Sequence, residues 1–245
     1  MIKAYAKSDI GKVREENQDY YYISDSLDEI QLYILADGMG GYKGGAVASK
    51  MAVESAKNYI ENNFKDVDKD KDSIIQLIGS SMEYANMIVY EKSKNDPNLE
   101  GMGTTLEVCL IYNNKAYIGH IGDSRIYRIR KEFIRKLTQD HSYVQKLVKE
   151  GTITSEQAEH HPQKNMLMKA LGCNAFVEPD VMVKGFQKDD ILIMCTDGLS
   201  NMVDQQTIYE KATNKNMEQV PKDLVQLALD KGGYDNITIV IIKNI

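Results

Sequence analysis

The hydrophobic positions of this chain form short runs at its start, long periodic stretches next, and short runs again afterwards. Met1 to Lys7, Tyr20 to Ile23 and Gln31 to Ala36 are dense in aromatic and branched residues and read as strands, with a turn over Asp25 to Glu29. After Gly45 the period lengthens. Ala46, Ala48, Met51, Ala52, Ser55, Ala56, Tyr59 and Ile60 recur at helical spacing, with small residues where the helix must pack closely. A second helix is expected from Ser73, its cap, to about Lys92, with Ile74, Leu77, Ile78, Met82, Ala85 and Ile88 as its apolar stripe. Thr105 to Tyr112, Lys115 to Ile121, Arg125 to Ile129 and Glu132 to Leu137 follow as strands, with Asn113-Asn114 and Arg130-Lys131 at tight connections. Connections this short exclude parallel crossovers and require antiparallel pairing. Helices are expected at Ser142 to Glu150, briefly after Thr154, at Gln205 to Ala212 and at Met217 to Ala228. Strands are expected at Val177 to Gly185, Asp190 to Thr196 and Ile237 to Ile242. The order predicts one α+β domain over residues 1–245, its antiparallel sheets carrying helices on their outer faces.

Composition narrows the class. The 245 residues are 42% hydrophobic and 27% charged, enough apolar material for a full core. The net charge of −6 argues against a nucleic-acid partner. The longest basic cluster, Arg128 to Lys136, alternates with apolar residues as the face of a strand does. Cys109, Cys173 and Cys195 are far apart and show no disulfide or CxxC spacing, which points to a reducing compartment. The N-terminus lacks a secretory apolar core, and no apolar run approaches the ~20 residues that span a bilayer. A cytoplasmic protein without membrane insertion, and a monomer, is therefore expected.

Four places put an aspartate where an apolar run meets a turn: Ala36-Asp37-Gly38, Gly122-Asp123-Ser124, Thr196-Asp197-Gly198 and Tyr234-Asp235-Asn236. Each alone is what an ordinary strand end shows. Together they suggest a metal site assembled from strand ends. Carboxylates about 4 Å apart repel by roughly 4 kcal/mol at an effective dielectric near 20, so a cluster must take up protons or hold cations. Oxygen ligands without a Cys/His set favour Mg²⁺ or Mn²⁺ over zinc. Two such ions can share a water, lower its pKa and orient it for in-line attack on a phosphoryl group. Arg14 can hold the remaining phosphate oxygens through its planar fork. Adjacent His160 and His161 have no cysteine or acid at zinc-binding spacing and read as exposed loop residues.

Arg14-Glu15-Glu16-Asn17-Gln18-Asp19, Asp37-Gly38-Met39-Gly40-Gly41, Gly103-Thr104-Thr105, Gly122-Asp123-Ser124-Arg125, Thr196-Asp197-Gly198-Leu199 and Asp235-Asn236 occur in that order. Thr138-Gln139-Asp140-His141-Ser142 and Ala170-Leu171-Gly172 lie between them. In this ordered set, spread over almost the whole chain, the sequence resembles the bacterial branch of the metal-dependent type 2C serine/threonine protein phosphatases.

The resemblance implies a sandwich of two antiparallel β-sheets flanked by helix pairs, an α-β-β-α arrangement, with two or three Mn²⁺ or Mg²⁺ ions in a cleft at one end. It implies that Asp37 bridges two ions, that the Gly38 carbonyl ligates one, and that Asp197 and Asp235 hold the other. Asp123 with Asp197 would form a third position, Asp19 would orient metal-bound water or sit in the ligand shell, and Arg14 would bind the substrate phosphate. Residues 141–168 would form a flap-like insertion near the cleft. Some members carry a glutamate in the metal shell where this chain has Gln18, so the second ion would be held through Asp37 and waters. Animal members have a histidine, often assigned as general acid, where this chain has Met39, which cannot donate a proton. The leaving oxygen would then be protonated by water or another group, for which His120 and His141 are candidates by residue type alone. The implied activity is hydrolysis of phosphoserine and phosphothreonine on proteins, reversing a partner serine/threonine kinase. A catalytically silent phosphoprotein-binding module and a phosphatase of small phosphoesters are the alternatives.

Overall fold

The computed structural model describes residues 1–25, 30–213 and 216–245, with the backbone alone for 41–43. In chain order the elements are β1 (Ile2–Asp9), β2 (Asp19–Ile23), β3 (Gln31–Met39), α1 (Gly41–Asn63), α2 (Lys71–Asn95), β4 (Gly103–Thr104), β5 (Leu106–Tyr112) and β6 (Lys115–Ile121). There follow β7 (Arg125–Arg130), β8 (Phe133–Lys136), α3 (Tyr143–Lys149), α4 (Ser155–Glu159), β9 (Asp180–Gly185), β10 (Ile191–Cys195), α5 (Asp197–Ser200), α6 (Gln205–Ala212), α7 (Val220–Asp230) and β11 (Ile237–Asn244). One sheet runs β1-β11-β10-β7-β8 and the other β2-β3-β5-β6-β9, with β4 added beside β3. Their pairings are antiparallel.

Strand alternation sorts the core into three layers. In β3, Leu32, Ile34 and Ala36 face outward and pack with Ala48, Ala52 and Ala56 of α1 and Ile74, Ile78 and Met82 of α2. The alanines recur every four residues, which lets α1 lie close on the sheet. Tyr33 and Leu35 point the other way and meet Cys109, Ile118, Met194 and Val240 between the sheets. On the far side Ile193, Ile239 and Ile241 pack with Leu199, Ile208 and Leu224 beneath α5 to α7. The expected α-β-β-α sandwich is therefore present. Strands buried on both faces explain why β3, β10 and β11 are continuously apolar rather than alternating.

Several boundaries differ from the sequence expectation for identifiable reasons. Asp70, not Ser73, caps α2, because its side chain accepts from the Asp72 and Ser73 amides. The β3 strand does not stop at Ala36 but continues to Met39, where Gly38 and Met39 pair with Thr104 and Gly103. The turn comes at Gly40, whose φ of 119° suits glycine. The β9 strand begins at Asp180 rather than Val177, because Pro179 has no amide to donate to a ladder. The last long helix starts at Val220 with a proline in its first turn, not at Met217. Positions 26–29 of the expected turn after β2 lie outside the described residues. Asn113 and Asn114, at φ 46° and 56°, form the tight β5–β6 turn.

Between β8 and β9 the chain leaves the sandwich and returns. Tyr143 donates to the Met166 carbonyl at 2.8 Å and Met168 to the His141 carbonyl at 2.8 Å, with a bridge between Ser142 and Leu167. The two ends of this segment are thus stitched to each other, and α3 and α4 project from the stitched root.

Candidate metal centre

The ends of β3, β6 and β10 and the starts of β2 and β11 converge at one edge of the sandwich. Antiparallel pairing sets Asp19 directly opposite Asp37. A cleft of about 600 Å³ opens there, lined by Arg14, Gln18, Asp37, Gly38, Asp123, Asp197 and Asp235. Of the expected site residues, Asp19 alone does not line it. It lies beneath, 7% exposed, where its Oδ2 accepts from Thr196 at 3.0 Å and Thr238 at 2.6 Å.

The backbone around Asp37 is fixed on every side. Its amide donates to Thr105 Oγ1 at 2.9 Å, and its carbonyl accepts from Thr104 Oγ1 at 2.8 Å and the Thr105 amide at 2.9 Å. A side chain on Gly38 would collide with the Gly45 carbonyl and come within 2.7 Å of the Gln18 carbonyl. Glycine is therefore required at this position by close packing. Gln18 lays its amide against Gly45 of α1. Asn236 staples the segment that carries Arg14: it accepts from the Gln18 amide at 2.8 Å and donates to the Ile10 and Glu16 carbonyls at 2.9 and 3.0 Å. Arg14 itself, half exposed, donates to Asp235 Oδ2 at 2.8 Å.

The electrostatics of the cleft floor call for positive charge. Burial, reinforced by Asp19, Asp197, Asp123 and Asp235, holds the Asp37 carboxyl well above the usual range. Burial also raises Asp197, with Asp235 adding to it, while a hydrogen bond to Asp37 acts in the opposite sense. Burial and neighbouring carboxylates push Asp19 and Asp123 each up to about 7. Carboxyl groups crowded together in this way need protons or cations between them. Asp19 Oδ1 is a buried oxygen without a partner. The orphaned oxygen, the crowded carboxylates and the all-oxygen donor set fit a hard divalent cation. Among the described residues no group of three or more His, Cys, Asp or Glu side chains closes round one point. Ions such as Mg²⁺ do not demand such a cage, since they keep several waters and take one or two carboxylates.

These shifts set the pH response of the metal-stripped protein. A carboxyl whose folded pKa lies above its unfolded value keeps an extra proton only in the folded state. Stability from Asp19 and Asp123 is therefore full below the unfolded value of 3.8 and is lost as pH rises towards about 7. Asp70, Asp96, Asp140 and Asp204 have lowered values and titrate below that window. With chelator present, the urea midpoint is expected to fall between pH 5 and 7, and Asp123→Asn to flatten the fall. A midpoint that climbs over this window, equally in both proteins, contradicts the assignment.

Neither histidine considered as a general acid lines the cleft. His120 is fully buried, with Nδ1 on Glu107 and Nε2 on the Gln139 carbonyl. His141 engages the Gly122 amide and Asp180. With both nitrogens of each ring occupied, neither can protonate a leaving group from its present place. The sequence alone does not reveal the supports, which are Thr104, Thr105, Thr196, Thr238 and Asn236 beneath the cleft and Asn165 and Leu167 on its wall. Thr104, Thr105, Thr196 and Asn236 sit inside the quoted motifs, so their neighbourhood was the available signal.

A family model described as protein phosphatase 2C matches residues 12–231. The chain belongs to the protein phosphatase 2C family. Its sequence is 34% identical to the serine/threonine phosphatase stp of Listeria monocytogenes, over 99% of this chain and 96% of that one. Its fold superposes on the serine/threonine phosphatase of S. agalactiae with a TM-score of 0.92 at 34% identity, covering 100% of both chains. It is also similar to the catalytic domain of the serine/threonine protein phosphatase PstP, solved with two manganese ions: TM-score 0.86, 33% identity, 99% of this chain and 97% of that one. In this phosphatase 2C chain, no helix among the described residues is long and apolar enough to cross a membrane.

Proposed function

We propose that the protein hydrolyses phosphoserine and phosphothreonine monoesters on other proteins, with Mn²⁺ or Mg²⁺ as cofactor and the product of a partner serine/threonine kinase as substrate. The observation that carries the reading is the cleft floor, where Asp37, Asp123, Asp197 and Asp235 line one cleft and Asp37 is crowded by Asp19, Asp197, Asp123 and Asp235. Asp37 and the Gly38 carbonyl, with Asp197 and Asp235, are the groups that would hold two ions, and Asp123 with Asp197 would hold a third. Bound ions supply a water of lowered pKa and positive charge for the phosphoryl oxygens.

The chain's own residues do the rest. Arg14, on the rim, binds the non-reacting phosphate oxygens and turns the phosphorus towards the floor. Asp19, held by Thr196 and Thr238, keeps one oxygen free to orient a water. The water oxygen bonds to phosphorus as the bond to the seryl or threonyl oxygen breaks in line. With Met39 on the wall and both nearby histidines engaged, solvent protonates the leaving oxygen. A silent binding module is disfavoured because Asp37, Asp123, Asp197 and Asp235 are all present and line one cleft.

Initial rates on phosphothreonine, phosphoserine and phosphotyrosine peptides and on a small aryl phosphate test the reading. Phosphothreonine and phosphoserine peptides are expected to be cleaved at least about tenfold faster, by kcat/KM, than phosphotyrosine. Chelation is expected to stop turnover and Mn²⁺ to restore it. Turnover indifferent to chelation overturns the metal reading, binding without turnover favours the silent module, and preference for the aryl phosphate favours a small-molecule substrate.

A further inference from the structure

A polar row crosses the inner face of one sheet just below the cleft. Register pairs Glu107 of β5 with His120 of β6, and His120 with Asp180 of β9. Glu107 and His120 are both 0% exposed, with Oε1 and Nδ1 2.5 Å apart. His120 Nε2 lies 2.9 Å from the Gln139 carbonyl. The Gln139 carbonyl can only accept, so Nε2 carries a proton; burial works against a charged ring, but Glu107 and the two hydrogen bonds outweigh it and raise His120 to about 9, making it an imidazolium paired with Glu107.

His141 stacks on this cation, ring centroids 4.5 Å apart and planes 28° apart. Its Nδ1 accepts from the Gly122 amide at 3.2 Å, so the proton of this ring sits on Nε2, which faces Asp180 Oδ2 at 3.2 Å. Its backbone amide donates to the Gly122 carbonyl at 2.7 Å. His141 thus grips Gly122 at both ends of that residue. On the other side of Asp123, Ser124 shares a hydrogen bond of 2.9 Å with Thr105, the residue that also anchors Asp37. Asp123 therefore stands between two clamped neighbours. Burial and the nearby His120 charge lower the pKa of His141, which favours the neutral ring that the Gly122 contact requires.

We propose that the Glu107–His120–His141 stack is a positioning device for Asp123: it fixes Gly122 and thereby the aim of the Asp123 carboxylate into the cleft. The proposal rests on the reading of Asp123 as a metal-shell residue. His141 is a positioning residue that acts through the turn and touches neither substrate nor metal. Glu107 holds the imidazolium on which His141 stacks. The same hydrogen bonds tie the root of the α3–α4 segment to that turn, since His141 also accepts from the Met168 amide at 2.8 Å.

Calorimetric Mn²⁺ titration of the full chain, with urea midpoints alongside, tests this. Asp123→Ala is expected to abolish the weakest Mn²⁺-binding step. His141→Ala and His141→Gln are expected to weaken that step about tenfold and leave tighter steps unchanged, as loss of a group that orients a metal ligand does. His141→Asn, which returns an acceptor to the Nδ1 position, is expected to restore binding to within about threefold. Glu107→Gln is expected to fall between. In the Asp123→Ala background, His141→Ala is expected to add nothing, because the route it acts through is gone. The proposal is overturned if His141→Ala and His141→Gln bind like the parent. It is also overturned if His141→Asn is no better than His141→Ala, or if His141→Ala weakens the remaining steps without Asp123. Should Asp123→Ala itself leave every step unchanged, the reading of Asp123 fails, and the proposal with it, by a result separate from those three.

Discussion

Replacing Asp37 with asparagine is expected to lower kcat on a phosphothreonine peptide by about 10³-fold or more at saturating Mn²⁺. Asparagine keeps the size of the side chain and the backbone bonds to Thr104 and Thr105. What it removes is the one charge at the centre of the carboxylate group, opposed by Asp19, Asp197, Asp123 and Asp235. In the metal-free protein that charge is a liability, so the same variant is expected to match or exceed the parent in urea midpoint at pH 7. With Mn²⁺ the order reverses, because the parent gains stability from bound ion that the variant cannot hold. Loss of activity with gain of metal-free stability separates a ligand from a packing residue. Turnover within tenfold of the parent at saturating Mn²⁺ would falsify the role given to Asp37.

Arg14 gives the second large effect, by another route. Its guanidinium is half exposed, and within the protein it donates to Asp235, which also lies in the cleft. A charge-assisted hydrogen bond to phosphate contributes about 1.5–3 kcal/mol, so Arg14→Ala is expected to lower kcat/KM by about 10²-fold. Arg14→Lys keeps the charge but loses the fork, and is expected to recover only part of that loss. Removing Arg14 also frees Asp235 of its cation, so Mn²⁺ is expected to bind as tightly as before or more tightly. Steady-state kinetics and calorimetry on the same variants check the split. If Mn²⁺ affinity and kcat/KM fall together, Arg14 supports the metal site rather than the substrate.

The strands and helices near the middle of the fold were readable because their apolar periods are long and uninterrupted. The α1 stripe and the β5–β6 hairpin are examples, the latter marked by Asn113-Asn114. Boundaries were less readable where a single residue decides them. Asp70 caps α2 three residues ahead of the expected Ser73, and Pro179 delays β9. The extension of β3 to Met39 depends on a two-residue partner, β4, more than sixty positions away. No local pattern announces such a partner.

The site divides in the same way. The identities of Asp37, Asp123, Asp197, Asp235 and Arg14 were legible within motifs, the four aspartates each beside a glycine or asparagine at a short junction. The carboxylate type of the four aspartates called for a hard cation. How they share the cleft was not in the sequence. Asp19 is buried beneath the floor because β2 pairs with β3 in a register that sets it opposite Asp37. His120 and His141, which residue type nominates for proton transfer, are instead committed to Glu107, Gln139, Gly122 and Asp180. The sequence by itself determined most of the elements, the α+β class with antiparallel sheets and the residue types of the site, because periodicity and residue type are local properties. Only the tertiary structure decided which polar groups are free to act, because a side chain's freedom depends on partners that distant strands bring to it.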